Sequence, residues 1–274
     1  MHTPSVETSP LGKETRYINQ YDPGLLYPIP RQAAREQLGL VASSLPFKGV
    51  DIWNAYEVSW LNTRGKPLVR LAEFRVPADS LNIIESKSFK LYLNSFNLTR
   101  FDNEAEVVAR LQKDLSGAAA APVEVRLYSV EQGLQPQPLA GLCIDDLDID
   151  VKHYTPEPAL LQLDSDMPTE ETLVSHLLKS NCPVTGQPDW ASVQIHYRGS
   201  KIDRAGLLAY LISYREKGDF HEACVEQIFC DLQQSCAPEF LSVYARYVRR
   251  GGLDINPFRS SEVIQPNNLR LLRQ

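Results

Sequence analysis

The sequence predicts an α+β protein built from two copies of one module, each an antiparallel four-stranded sheet with two helices. The hydrophobic pattern gives the element order strand, strand, helix, helix, strand, strand in each half of the chain. One helical segment occurs in both halves in similar form: residues 92–96 read YLNSF and residues 210–214 read YLISY. A turn between the first two strands also recurs with one spacing: Ser59, Gly65, Pro67 and Ser180, Gly186, Pro188.

The elements of the first module follow from their apolar periods. Even positions from Ile52 to Trp60 form one strand face, and a second strand runs from Leu68 to Val76. Apolar residues at helical spacing predict two helices, with Phe89, Leu93, Phe96 on one and Val108, Leu111, Leu115 on the other. Alternation from Val123 to Leu127 predicts the third strand, and residues 139–144 are expected to form the fourth.

The second module repeats this order. Strands are predicted for residues 173–178 and 192–197, helices for 203–214 and 222–232, and a last strand for 241–248. Residues 1–45 show no sustained period, so we expect an irregular arm. Residues 46–147 and 148–274 are expected to form the two modules.

Composition limits the function classes. The chain has 274 residues, of which 43% are hydrophobic and 23% charged, as is typical of a folded globular protein. The formal net charge of −6 disfavours nucleic acid as a partner, because such binding neutralises phosphates with Lys and Arg. A small molecule is the expected ligand.

The chain also lacks the sequence signals of export. Its first 13 residues carry no apolar run of signal-peptide length, and nowhere do ~18 apolar residues follow one another. We therefore expect a cytoplasmic protein without a membrane partner. Five cysteines without small-domain spacing predict reduced thiols rather than a disulfide framework.

The loop from Ser180 to Trp190 carries the most informative pair of side chains. Cys182 and Asp189 lie seven residues apart in a turn stiffened by two prolines, close enough to serve as nucleophile and acid/base partner. In the first module, Leu61 and Leu68 take their places, so thiol and carboxylate occur in one copy only. The alternative is a buried cysteine that acts as a small hydrophobic residue.

Two segments that precede helices are candidate binding sites. Residues 84–90 (IESKSFK) open a helix where backbone N–H groups, Ser86, Lys87 and Lys90 suit a phosphate, although an ordinary solvated helix start has the same pattern. His221 and Glu222 precede the second helix of the second module. Glu222 is suited to accept hydrogen bonds from a guanine-like base, or it is there only because the helix dipole favours it.

The end of the last predicted strand carries positively charged residues and two glycines. This pattern suits the binding of phosphate groups, or it is a basic strand end exposed to water. The residues are Arg246, Arg249, Arg250, Gly251 and Gly252. No G-x-G-x-x-G, paired C-x-x-C or H-E-x-x-H sequence is present, so neither a Rossmann unit nor zinc-ligand spacing is indicated.

Together these segments resemble the two-module form of the NADPH-dependent nitrile reductases of queuosine biosynthesis, the 7-cyano-7-deazaguanine reductases. The resemblance runs from about residue 17 to residue 274 and is carried by ESKSFKLY (85–92), CPVTGQPD (182–189), FHE (220–222) and RRGGLDINP (249–257). It implies the tunnelling fold, whose unit has the element order described above.

The resemblance also implies residue roles. Cys182 would attack the nitrile carbon to give a thioimide, with Asp189 as the proton donor and acceptor. Ile84, Glu85, Ser86, His221 and Glu222 would bind the base. Ser86, Lys87, Arg250 and Gly251 would bind NADPH, of which two are consumed per turnover.

The family further implies a homodimer and no metal for the chemistry. Two other functions stay open: a zinc-dependent GTP cyclohydrolase of the same fold, and a purine-binding module without catalysis. A weaker hypothesis is a reversible protective disulfide between Cys182 and Cys224.

Overall fold

The computed structural model of the protein describes residues 17–132 and 135–274, so the first 16 residues of the predicted arm lie outside it. The predicted α+β class is confirmed. The strands are β1 (Pro28–Pro30), β2 (Lys48–Leu61), β3 (Pro67–Pro77), β4 (Asn82–Ile84), β5 (Glu124–Tyr128), β6 (Leu142–Cys143), β7 (Leu163–Ser175), β8 (Lys179–Asn181), β9 (Pro188–Ile202), β10 (Phe240–Tyr247) and β11 (Leu253–Ser260). The helices are α1 (Gln32–Gln37), α2 (Ser86–Asn94), α3 (Glu104–Ala119), α4 (Arg204–Ile212) and α5 (His221–Cys236).

The two modules share one continuous sheet, in the order β5-β3-β2-β11-β10-β9-β7-β6. The modules meet where β11 of the second pairs antiparallel with β2 of the first, with Ile255 opposite Trp53. This pairing satisfies the backbone groups of two strand edges that separate sheets would leave open. It also brings the loops and helix ends of both modules close to one junction.

The prediction of a fourth strand at residues 139–144 is wrong. Only Leu142–Cys143 is extended as β6, and it pairs parallel with β7 of the second module instead of lying beside β5. Gly141 permits this course, because at its φ of +137° a Cβ would lie 2.7 Å from the carbonyl oxygen of Thr172. The connection between modules is therefore held against the outer strand of the second.

Four strands were not predicted from the hydrophobic pattern, and each has a local reason. β1, β4 and β8 have three residues each, which is too short for a period to be visible. β11 alternates, but its polar residues Asp254 and Asn256 are as buried as its apolar ones, so it does not show the usual exposed polar face.

The duplication extends to equivalent hydrogen bonds. Tyr92 donates to Asp114 at 2.8 Å in the first module, and Tyr210 donates to Asp231 at 2.6 Å in the second. In both modules the hydroxyl belongs to the first helix and the carboxylate to the second. One packing solution is therefore used twice to lock the helix pair.

The four longer helices cover one face of the sheet and form two apolar cores. Phe74, Phe89 and Leu111 are fully buried in the first, and Val193, Leu208 and Phe229 in the second. On the opposite face, where β2, β10 and β11 meet, the buried polar side chains of Asp254, Asn256 and Arg246 lie beside a small apolar cluster that includes Ile52 and Phe258. In the part of the chain that the structure describes, no helix has the length and apolar content to cross a bilayer.

A buried ionic cluster ties the arm to the body. Arg35 of α1 contacts Glu226 of α5 at 2.8 Å, and Arg259 of β11 contacts Glu226 at 2.8 Å and Asp51 of β2 at 2.7 Å. Arg31 also pairs with Asp51. Burial alone would raise the pKa of Glu226, but the arginines around it lower that pKa to about 2. The predicted arm thus contains a strand and a helix anchored by charge.

We expect Arg35→Met to destabilise the protein by about 3–5 kcal/mol, because it leaves part of the buried Glu226 charge unpaired. Urea unfolding measures the change. The matched control is Arg70→Met, which breaks the half-exposed pair with Glu104 and should cost about 1 kcal/mol or less. Equal effects of the two substitutions would contradict this account of the cluster.

Candidate active site

A narrow cleft lies where the N-terminal ends of α2 and α5 face the loop between β8 and β9. Its enclosed space is about 30 Å³. The lining comes from both modules: Trp53, Ile84, Ser86, Lys90, Cys182, Pro183, Asp189, Asp219, Phe220, His221, Glu222, Val248, Arg250, Leu253 and Ile255. The junction between β2 and β11 is what brings the two halves together here.

Cys182 lies in the β8 to β9 loop and is 6% exposed. The loop closes on itself, since Cys182 N–H donates to the Gln187 carbonyl at 2.8 Å and Gly186 N–H donates to the Cys182 carbonyl at 3.1 Å. Burial would raise the pKa of the thiol, but hydrogen bonds from Thr185, Val184 and Arg250 outweigh it and lower the pKa. The site therefore makes the thiolate easier to form than in an ordinary cysteine.

Asp189 is buried on β9 and is held from two sides. His221 Nε2 lies 3.2 Å from one carboxylate oxygen, and Arg250 Nε lies 3.1 Å from the other. Because Arg250 also contacts the Cys182 sulfur, one guanidinium connects thiol and carboxylate. The pair predicted from sequence is thus joined by charge inside one cleft.

His221 and Glu222 are the first residues of α5. The His221 ring stacks face to face on Tyr247, with centroids 3.7 Å apart and the planes parallel, so its orientation is fixed. Glu222 is 4% exposed. Burial and the nearby Asp51 raise the pKa of Glu222 to about 7, against the opposing effect of Arg31.

Positive charge accumulates on the other wall. Burial and the neighbouring Arg250 lower the pKa of Lys90, because both desolvation and a nearby positive charge disfavour the charged ammonium group. Gly251, with φ of +58°, lies against the Lys90 stem, where a Cβ would come within 3.2 Å of Lys90 Cδ. Two cations beside the α2 N-terminus suit an anionic group.

Seven of the predicted site residues line the cleft: Ile84, Ser86, Cys182, Asp189, His221, Glu222 and Arg250. Glu85, Lys87 and Gly251 lie next to lining residues without being part of the lining, within residues 17–132 and 135–274. The Glu85 carboxylate is buried and accepts the backbone N–H groups of Lys87 and Ser88, so it caps α2. Asp203 caps α4 in the same way.

Several lining residues were not predicted to belong to the site, among them Trp53, Asp219, Phe220 and Val248. Trp53 gave no signal, because it reads as an ordinary apolar strand position. Lys90 was predicted to add positive charge at the start of α2, but it was not among the predicted site residues. Its place in the cleft depends on how α2 faces β11, which the local pattern does not contain.

All five cysteines are free thiols in the structure. Cys224 is fully buried on α5, and burial raises its pKa well above the ordinary range. A protective disulfide with Cys182 stays a prediction.

We expect Cys182 to be alkylated by iodoacetamide at a lower pH than Cys224, Cys230 or Cys236, because its pKa is lowered whereas burial raises theirs. The rate at Cys182 should fall at a lower pH than the rate at an ordinary cysteine, because its thiolate persists to lower pH. Arg250→Gln should shift that midpoint upward. Peptide mapping by mass spectrometry gives each rate, and an unchanged midpoint in the variant would argue against the role of Arg250.

Fold and cleft together are those of a protein with a duplicated architecture and a small cleft lined by residues of both copies. Residues 17–127 match the family described as nitrile reductase, 7-cyano-7-deazaguanine-reductase N-term, and residues 188–266 match the family described as QueF-like protein. The NADPH-dependent 7-cyano-7-deazaguanine reductase of Dechloromonas aromatica is 58% identical, over 97% of this chain and 95% of that protein.

The protein of the same name from Chromohalobacter salexigens is 57% identical, over 98% of both chains. The chain belongs to the NADPH-dependent 7-cyano-7-deazaguanine reductase family, and it is an oxidoreductase. The crystal structure of the archaeosine synthase QueF-Like in the apo form aligns with 35% of this chain and 96% of its own, at 18% identity and a TM-score of 0.31. That likeness is too weak to bear on the fold.

Proposed function

We propose that the protein reduces the nitrile of 7-cyano-7-deazaguanine to an aminomethyl group with two NADPH, through a covalent Cys182 thioimide, in the pathway to queuosine in tRNA. The observation that carries the proposal is the Cys182 thiol with its lowered pKa, connected through Arg250 to Asp189. The names of the two relatives support the substrate and the cofactor.

The first step is addition of the thiolate to the nitrile carbon. A carbon–sulfur bond forms, one π bond of the nitrile breaks, and its electron pair goes to nitrogen, which takes a proton. Asp189 is the group placed to deliver that proton after removing it from the thiol. The product is an sp2 thioimide, which accepts hydride more readily than a nitrile. Covalent catalysis therefore divides the difficult reduction of the nitrile into easier steps.

NADPH, when bound, supplies the hydrides that reduce the thioimide and then the imine released when the carbon–sulfur bond breaks. The residues present fit its phosphate groups. Ser86 offers a donor at the start of α2, and the half-buried Lys90 and Arg250 place two positive charges in the same part of the lining. The role of the chain is to hold the cofactor beside the thiol and to return Cys182 to the thiolate. Two hydrides and two protons then account for the amine.

Glu222 is proposed to accept the N–H edge of the base. It lies in the wall of the cleft and also in the wall of a wider neighbouring cavity of about 290 Å³, lined in part by Arg31, Pro183 and Phe220. The wider cavity has room for a planar bicyclic ring, and Pro183 next to Cys182 is common to both. The base would therefore enter from the side of the arm.

We expect the base to bind more weakly as the pH falls from 8 to 6, because the pKa of Glu222 is about 7 and its neutral form accepts fewer hydrogen bonds. The affinity is measured by calorimetry on Cys182→Ala, so that covalent attachment does not contribute. Glu222→Gln in that background should bind weakly at every pH. A flat profile for the Cys182→Ala protein with Glu222 intact would contradict this role.

The decisive experiment follows NADPH absorbance with the cyano base as substrate and counts cofactors oxidised per amine formed. Two per product, together with an intact-mass adduct that depends on Cys182, supports the proposal. Fewer than two cofactors oxidised per product, or an adduct that forms without Cys182, would contradict the proposal. The homodimer, the cytoplasmic location and the absence of nucleic-acid and membrane partners stay predictions.

A further inference from the structure

Three side chains of the types that bind metal ions meet away from the proposed catalytic cleft. One ligand atom each from Cys143, Asp145 and His176 lies within 4.8 Å of the other two. Cys143 is on β6, Asp145 follows it by two residues, and His176 comes directly after β7. Cys143 and His176 are exposed and Asp145 is half-buried, so an ion could reach them from solvent.

The cluster is held in place by contacts of its surroundings. The parallel pairing of Cys143 with Val174 fixes the thiol beside the end of β7, and the close approach at Gly141 makes that pairing possible. The Asp145 carboxylate accepts from Ser175 Oγ at 2.6 Å and from the His176 N–H at 2.8 Å. Each carboxylate oxygen keeps a second lone pair for a ligand bond.

The imidazole of His176 is oriented as well. Its Nδ1 lies 2.8 Å from Ser192 Oγ, and that hydroxyl also accepts from Arg273 at 2.8 Å. Histidine ligands of metals characteristically have such a partner, which fixes the ring plane and the tautomer. The neighbouring Arg273 guanidinium opposes a cation, whereas the acidic stretch at Asp146, Asp148 and Asp150 attracts one.

We propose that Cys143, Asp145 and His176 form a binding site for a divalent metal ion of the zinc class. Thiolate, imidazole and carboxylate are the ligand types that zinc combines, and three protein ligands leave one position for water. Tetrahedral zinc sets its ligand atoms roughly 3.5 Å apart, so ligand atoms that lie within 4.8 Å of one another must come together by about 1 Å at most. Metal binding would release the proton of the Cys143 thiol. It would also link the segment between the modules, which carries Cys143 and Asp145, to His176 of the second module.

The site is independent of the proposed reaction, since its residues do not line the cleft, within the part of the chain that the structure describes. It is also distinct from a catalytic zinc centre of the cyclohydrolase type, which would need its ligands in the pocket with Cys182. A cysteine variant in each location therefore separates the two possibilities.

The test uses full-length protein stripped with a chelator and titrated with Co²⁺ and then Zn²⁺. The protein with all five cysteines and the Cys182→Ala variant should both show one thiolate-to-cobalt charge-transfer band, displaced by one equivalent of zinc. Cys143→Ser should lose the band, and His176→Asn should bind at least about tenfold more weakly. Cys230→Ser, which changes a thiol outside the cluster, is the matched control and should keep the band.

A second readout is alkylation of Cys143, which zinc should slow in the otherwise unchanged protein but not in His176→Asn. Zinc should also raise the melting temperature of the unchanged protein, whereas the melting temperature of Cys143→Ser should be the same with and without zinc. The proposal is overturned if the cobalt band survives Cys143→Ser, disappears with Cys182→Ala, or is absent from every protein.

Discussion

Cys182→Ala should abolish turnover, lowering the rate of NADPH oxidation by about 10⁴-fold or more, because no other group in the cleft can form the thioimide. The fold should be unaffected, since Cys182 is held by backbone hydrogen bonds that alanine retains. Steady-state kinetics give the rate, and intact-mass spectrometry gives the adduct. The unchanged protein should gain the mass of the base, and the variant should not.

The matched control is Cys230→Ala, which removes a half-buried thiol of α5 outside the cleft lining. It should keep turnover and adduct formation. An adduct that persists in Cys182→Ala would assign the nucleophile to another residue and refute the proposed mechanism. Noncovalent binding of the base to Cys182→Ala is expected, because Glu222 is intact there.

Asp189→Asn should slow reduction by about 10²-fold or more while leaving the KM for the base nearly unchanged. Asparagine keeps the shape of the side chain and one oxygen for Arg250, but it cannot take the thiol proton or deliver it to nitrogen. The loss should therefore appear in kcat. Single-turnover mass spectrometry should show the adduct forming slowly, since proton removal from Cys182 and protonation of nitrogen are both impaired.

The control for Asp189 is Asp102→Asn, which changes an exposed carboxylate and should leave the rate unchanged. A melting temperature measured for each variant separates chemistry from folding, because Asp189 is also an ion-pair partner of Arg250 and His221. Near-native rates in a folded Asp189→Asn protein would remove this carboxylate from the mechanism.

The candidate site was predictable where its residues are close in sequence. Cys182 and Asp189 are seven residues apart, and His221 and Glu222 open one helix, so local pattern predicted both pairs as candidate site residues. Glu85 shows the limit of that approach. A carboxylate just before a helix indicates either a ligand contact or a cap, and here the Glu85 carboxylate accepts two backbone N–H groups as a cap. Whether it also contacts the base stays a prediction.

The elements of the repeated unit were predictable from the sequence, but the strand pairing between the two modules was not. Apolar periods gave β2, β3, β9 and β10 and all four long helices, because each buries one face against a core of its own module. Residues 139–144 were assigned to the wrong sheet edge, because pairing partners distant in sequence leave no local period. β11 was missed because both of its faces are buried, one against helices and one among polar groups.

By itself the sequence determined the α+β class, the duplication, the loop that carries the thiol and the family resemblance, since each depends on short-range pattern or on direct matches of residues. Only the tertiary structure decided that the two sheets join at β2 and β11, that Lys90 and Trp53 enter the cleft with Cys182, and that α1 is anchored by buried arginines. The physical reason is that strand pairing and burial of charge are satisfied between segments up to about two hundred residues apart, such as Asp51 and Arg259.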